Sequence, residues 1–300
     1  MSKAPIFELL RKIMRWVLYL SVVALFAFLF YKHRLEVMNT FIAHGWVLLY
    51  ATAITILGFS AQTLNFLQLI EASKKPPFQD TLHAWALANI VNYLGPFQPG
   101  IAVRMAFFKR HGIGVATTTR ATLTQLQLSF WVATGIAAVA GSFSHYEPVR
   151  PVAFFSAILF FLWPLWLRIS HLALLWSSSH IEFIDRHKST LILFFTLAPT
   201  RTLLLVISQY ILGALSLYVV YWGFHAQINL QDAFLLAVAS TLSTLVAVTP
   251  NNLGIQDALY GYSAHLYGLT VSEALSLTIL LRLAHILACG LILLWIRPYR

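Results

Sequence analysis

Four charged residues lie in sequence that is otherwise apolar. Arg104 is found in "PGIAVRMAFF", Arg282 in "LTILLRLAHIL", Arg201 in "APTRTLLL", and Asp257 follows "TPNNLG". An arginine at the centre of a bilayer costs about 2.5–3.5 kcal/mol on insertion scales, so such a charge marks a binding or coupling role by default. A guanidinium matches phosphate bidentately. Three cations against one acid therefore predict an anionic, phosphate-bearing ligand. The amides of Asn251 and Asn252 suit headgroup oxygens and equally well suit a turn.

Each of these residues also has a structural reading. Arg104 can snorkel to the inner interface beside Lys109 and Arg110. Asp257, seven residues past Pro250, can cap a helix at its positive end. Arg282 has no acid on its own helix face, because Glu273, nine residues earlier, falls on the opposite side. It must face a cavity, a partner on another helix, or a carbonyl. Glu273 has a capping box, "TVSE", to belong to. Asp80 and Asp232 read as first-turn acids. Tyr260, Tyr262 and Tyr267 read as interfacial belt residues, and His83 and His285 as satisfied helix residues.

The rest of the chain narrows the chemistry. Cys289 is the only cysteine, so a disulfide or thiolate cluster within the chain is excluded. The eleven histidines show no pairing at metal-ligand spacing, and no phosphate-binding loop, nucleophile elbow or dinucleotide fingerprint is present. No metal or cofactor is expected. The composition is 59% hydrophobic and 10% charged with a mean hydropathy of +0.75, which places the chain among polytopic membrane proteins. Its net charge of +10 is accounted for by cytoplasmic helix ends, without nucleic acid.

Six segments read as spans: 14–31, 46–70, 121–140, 151–168, 198–223 and 272–295. The first follows a basic start and lacks a small-x-small site, so it reads as an uncleaved anchor. Two regions, 81–110 and 232–266, are apolar but interrupted by Pro, Gly and Asn. If each is a hairpin that enters and leaves on one side, with the N-terminus inside, fourteen Lys and Arg fall inside and three outside. Both termini are then cytoplasmic.

The two interruptions match each other. In "GPFQPGIAVRMAFFKRHGIGV" (95–115) and "TPNNLGIQDALYGYSAHLYGLTV" (249–271), Pro96 aligns with Pro250, Gly100 with Gly254, and, after a two-residue insertion, Gly112 with Gly268. Pro99 adds a second proline to the first break. The fold predicted is an all-α polytopic membrane protein of about six spans plus two broken re-entrant hairpins. One membrane domain covers 1–300, built from repeat units of about 1–148 and 149–300. Three crossings per unit invert the second relative to the first, a recurring transporter design with the substrate site between repeats.

These residues resemble the flippase-like domain family, the transmembrane region of lysylphosphatidylglycerol synthases. The first break keeps Gly100 and Arg104 of a Gly-Glu-x-x-Arg motif, with Ile101 in place of the glutamate. The second keeps Pro250, Gly254 and Asp257 of Pro-Gly-Gly-x-Gly-x-x-Glu, with Asn251 and Asn252 replacing glycines. "ALSLTILLRL" (274–283) fits and carries Arg282. An acid–arginine pair often found in the family's helix after the first break is absent, with Thr124 and Gln125 near the expected place. The resemblance implies movement of lipids between leaflets, such as aminoacylated phospholipids or polyprenyl-phosphate-linked sugars. No soluble synthase domain is expected, since the sequence stops shortly after its last helix.

The function expected is a flippase or transporter of an anionic phospholipid or polyprenyl-phosphate-linked lipid in the bacterial inner membrane. Arg104 and Arg282 would hold the phosphate, and Asp257 would balance charge or couple protons. Two rivals stand beside it: an integral-membrane lipid-phosphate transferase, and an accessory subunit of a separate synthase or glycosyltransferase. A homodimer is admitted by either reading.

Overall fold

In lipid every backbone amide and carbonyl needs a partner within the protein, which leaves helices as the simplest way for such apolar segments to cross. The computed structural model describes residues 42–70, 75–93, 98–143, 149–177, 200–246 and 250–296, with isolated positions between 28 and 39. Within 149–177 the side chains are described through 163 and at 165; those of 244–250 are not. The predicted span 14–31 falls almost wholly outside these residues, as does Pro96.

Nine α-helices make up the described residues: α1 (Gly45–Leu69), α2 (Phe78–Val91), α3 (Gly100–Arg110), α4 (Val115–Ser142), α5 (Val149–Ser177), α6 (Thr200–Gly223), α7 (Leu230–Val246), α8 (Ile255–Leu266) and α9 (Val271–Trp295). A 3-10 turn, Pro250–Asn252, precedes α8, and no strand is present among the described residues. Helices α1, α4, α6 and α9 are long and apolar enough to cross a membrane. They coincide with the predicted spans 46–70, 121–140, 198–223 and 272–295. The predicted span 151–168 lies inside α5. The chain is an all-α polytopic membrane protein.

Local sequence explains the helix ends. Thr270 accepts from the Glu273 amide while the Glu273 carboxylate accepts from the Thr270 N–H at 2.8 Å, forming the capping box. Asn229 caps α7 by accepting from the Asp232 amide at 2.8 Å, which leaves Asp232 as a first-turn acid. Gly112 (φ 74°) and Gly268 (φ 86°) follow α3 and α8 in the left-handed region. Behind them Ile113 donates to the Phe108 carbonyl and Leu269 to the Ala264 carbonyl, the same C-terminal turn at both places.

The breaks share backbone geometry as well. Gln98 (φ 52°) and Asn252 (φ 58°) occupy matching places, each two residues before the break glycine. Each glycine amide is then held by a side chain: Gly100 by Asn92 Oδ1 at 2.8 Å, Gly254 by Asp257 Oδ2 at 2.8 Å. The arms are short. At 1.5 Å per residue, α7 extends about 25 Å and α8 about 18 Å.

Burial shows where each hairpin sits. One core joins the first part of α1 (Val47, Ala51) to the end of α6, the start of α7, Ala264 of α8 and Leu277 of α9. A second joins the last part of α1 (Phe59, Phe66) to Trp85 of α2, Phe108 of α3 and Ala288 of α9. The α2–α3 hairpin thus packs at one end of α1 and α9, and the α7–α8 hairpin at the other. A third core links α4, α6 and α7 through Leu128, Val206 and Val238. Small residues permit close approach where helices cross: a Cβ on Gly213 would sit 3.7 Å from the Ala237 Cβ, joining α6 to α7. On α7, Ser243 accepts from the Asn252 side-chain amide.

At Gly100 the approach is closest, since a Cβ there would collide with the Ala88 carbonyl. Gly100→Ala is expected to cost about 1–3 kcal/mol as overpacking, whereas Gly290→Ala, which meets nothing within 4 Å, is expected to be near neutral. Thermal exposure of the buried thiol of Cys289 to a maleimide fluorophore in detergent reads both. Equal melting of the two variants would refute the close-packing account.

Candidate functional site

Both breaks reach one cavity of about 620 Å³ in the middle of the bundle. Asn92, Tyr93 and Gln98 line it from the first break and Asn251 from the second, with walls from α1, α2, α4, α6, α7 and α9. Arg104 and Arg282 both border it. The two arginines therefore lie on one cavity with residues of both breaks, and they differ in chemistry.

Arg104 sits in the second turn of α3 with its guanidinium carbon 4.4 Å from the centroid of the Trp85 ring. That geometry is a cation–π contact. Trp85 is held in place by donating to Gln62 Oε1 at 3.0 Å across to α1, while its carbonyl accepts from Asn89 at 2.9 Å. Among the described residues Arg104 has neither a carboxylate nor a hydrogen-bonding partner. Its charge is available to the cavity.

Arg282 is engaged on every side. Its Nε donates to Asp257 Oδ1 at 2.9 Å and its Nη2 to Asp257 Oδ2 at 3.0 Å, a bidentate pair. Nη1 donates to the Asn251 carbonyl at 2.9 Å and Nη2 reaches the Asn252 carbonyl at 3.3 Å. The carbonyls belong to left-handed residues that no helix can satisfy. The Asp257 carboxylate is 1% exposed and also accepts from the Gly254 amide. Capping and ion pairing are therefore one arrangement in Asp257.

Asn252 is buried and donates to Ser243 Oγ at 2.7 Å, tying the break back to α7. Asn251 is the asparagine that borders the cavity. Arg201 is exposed in the first turn of α6 and is not among the residues lining the cavity. Pro99 stands as the N-cap of α3, and Pro250 begins the 3-10 turn.

Several cavity residues escaped the sequence reading. Tyr260, read as an interfacial belt residue, is instead buried against the cavity, sharing a hydrogen bond with Ser240 Oγ at 2.7 Å and accepting from Gln256 at 3.0 Å. Its spacing of three from Asp257 places both on the buried face of α8, a periodicity visible in the sequence. His285, read as satisfied, has an Nε2 without a partner among the described residues and packs its ring edge-on to Phe59 at 5.0 Å. Gln62, Gln125 and Gln209 also line the cavity. Each is an amide inside a spanning helix, where a polar side chain is costly and signals function.

The molecule is thus a multi-pass membrane protein with a polar, arginine-bearing cavity between two helical hairpins. A family model described as the lysylphosphatidylglycerol synthase TM region matches residues 13–292. The chain belongs to that family. No curated protein matches its sequence.

Removing Arg282 strands a buried carboxylate and two break carbonyls. Arg282→Ala is expected to destabilise by about 3–5 kcal/mol, the range for breaking a buried pair. Asp257→Asn keeps an acceptor for the Gly254 amide and is expected to cost less. Cys289 protection against heating ranks them, and the reverse order would overturn the clamp.

Proposed function

We propose that the protein moves an anionic lipid between the leaflets of a membrane, with Arg104 holding the phosphate. The carrying observation is that Arg104 is a cation without a counter-ion among the described residues, facing a polar cavity of about 620 Å³. A desolvated guanidinium gains most from a phosphate, which accepts two of its hydrogen bonds and cancels its charge. The family supports a lipid-related membrane role.

On this reading Arg282, Asp257, Asn251 and Asn252 keep the second break in its irregular shape, and Asn251 presents its amide to the headgroup. The matched dihedral angles of the two breaks and their placement at opposite ends of the bundle support an inverted repeat. Rocking of one hairpin against the other would then open the cavity to alternate sides. Arg201 has no part in holding the phosphate. The bacterial inner membrane, cytoplasmic termini and association with a lipid-modifying enzyme or a second copy belong to the same proposal.

The test is reconstitution into liposomes with a leaflet-specific readout of labelled anionic lipids. Arg104→Ala loses a charge-assisted interaction of about 1.5–3 kcal/mol, so translocation is expected to slow by roughly 10–100-fold. Arg104→Lys keeps the charge and is expected to retain part of the rate. Equal rates for wild type and Arg104→Ala across the lipid panel would remove the phosphate-site reading.

A further inference from the structure

Among the described residues, no side chain lining the cavity is a carboxylate. Asp257, the acid beside the second break, has both oxygens committed to Arg282 and one also to the Gly254 amide. An ammonium entering the cavity would meet the charge of Arg104 and find no counter-ion among the described residues, and like charges repel strongly where water is scarce.

The wall between α4 and α6 shows what is present instead. Tyr210 donates to the Ser129 carbonyl at 2.9 Å, which fixes the two helices against each other at this level. Gln125 and Ser129 lie four residues apart on one face of α4, and Gln209 and Ser216 seven apart on one face of α6; all four line the cavity. Gln209 Nε2 is buried with no acceptor among the described residues, and Gln125 is buried at 7% exposure. Buried polar groups are ordinarily paired. Amides and hydroxyls are at once donors and acceptors, and so complement hydroxyl groups, which are the same.

We infer that the headgroup carried beyond the phosphate is uncharged and hydroxyl-rich, a glycerol or a sugar, and bears no amine. This rests on the lipid-transport reading above. Gln125 and Gln209 are the residues that select it, while Arg104 holds the phosphate common to every candidate.

The experiment uses the full chain in proteoliposomes with lipids labelled on their hydrophobic tails, whose outer-leaflet fraction is quenched by dithionite. Phosphatidylglycerol and a polyprenyl-phosphate hexose form the hydroxyl arms and distinguish glycerol from sugar. Phosphatidylethanolamine and lysyl-phosphatidylglycerol form the amine arms. Wild type is expected to move at least one hydroxyl lipid about tenfold faster than either amine lipid, the ratio for one net hydrogen bond or its equivalent in repulsion. Gln209→Leu and Gln125→Leu should narrow that ratio, and Gln125→Glu should raise the rate of phosphatidylethanolamine relative to phosphatidylglycerol. Amine lipids moving as fast as hydroxyl lipids in wild type, with Arg104→Ala still slow, would overturn the headgroup inference and leave the phosphate site standing. Insensitivity of every lipid to Arg104→Ala would overturn both. The wild-type comparison decides the matter even if a variant fails to fold.

Discussion

Irregular backbone inside a membrane is the constraint on which the rest of this structure depends. Each unpaired carbonyl there costs several kcal/mol, and the second break has two of them on consecutive left-handed residues, Asn251 and Asn252. Arg282 satisfies both while its remaining donors pair with Asp257. Because Asp257 also holds the Gly254 amide, one guanidinium and one carboxylate fix the turn, the start of α8 and the packing of α9 against it. A lysine could not do this: it lacks the fork that meets a carboxylate and two carbonyls at once.

The first break solves the same problem with neutral groups. Asn92 Oδ1 accepts from the Gly100 amide, and the glycine lets the chain press onto the Ala88 carbonyl. Its arginine, one turn further on, is thereby spared from structural duty. Arg104 lies on Trp85, an arrangement that stabilises a cation without neutralising it. The two breaks share backbone shape at 98 and 252 and again at 112 and 268, yet their charges do different work.

Much of this was legible in the sequence, for physical reasons that can be named. Hydropathy marks α1, α4, α6 and α9 because lipid demands about 20 apolar residues. Pro, Gly and Asn mark the breaks because few other residues tolerate those dihedral angles. The division between a paired and a free arginine was not legible, since Asp257 and Arg282 are 25 residues apart on different helices and only tertiary packing brings them together. Tyr260 was missed for a different reason. Its ring suits a membrane interface by type, and only its helical phase with Asp257 shows that it points inward.

The asymmetry between the breaks bears on how such a site can release what it binds. A cavity with two free guanidiniums would hold a phosphate through two charge-assisted interactions, each about 1.5–3 kcal/mol. Transport requires binding weak enough to reverse, and uniform tight binding slows the return step as much as it favours capture. Among the described residues, pairing Arg282 with Asp257 leaves Arg104 as the cavity's single net positive charge, which on the proposed reading would meet a single phosphate among neutral glutamines and hydroxyls. The Trp85 face lowers the cost of keeping Arg104 charged while the site is empty. On the proposed reading, structural neutralisation of one arginine would therefore be part of the binding design, matching the cavity's charge to a monoanionic headgroup rather than trapping it.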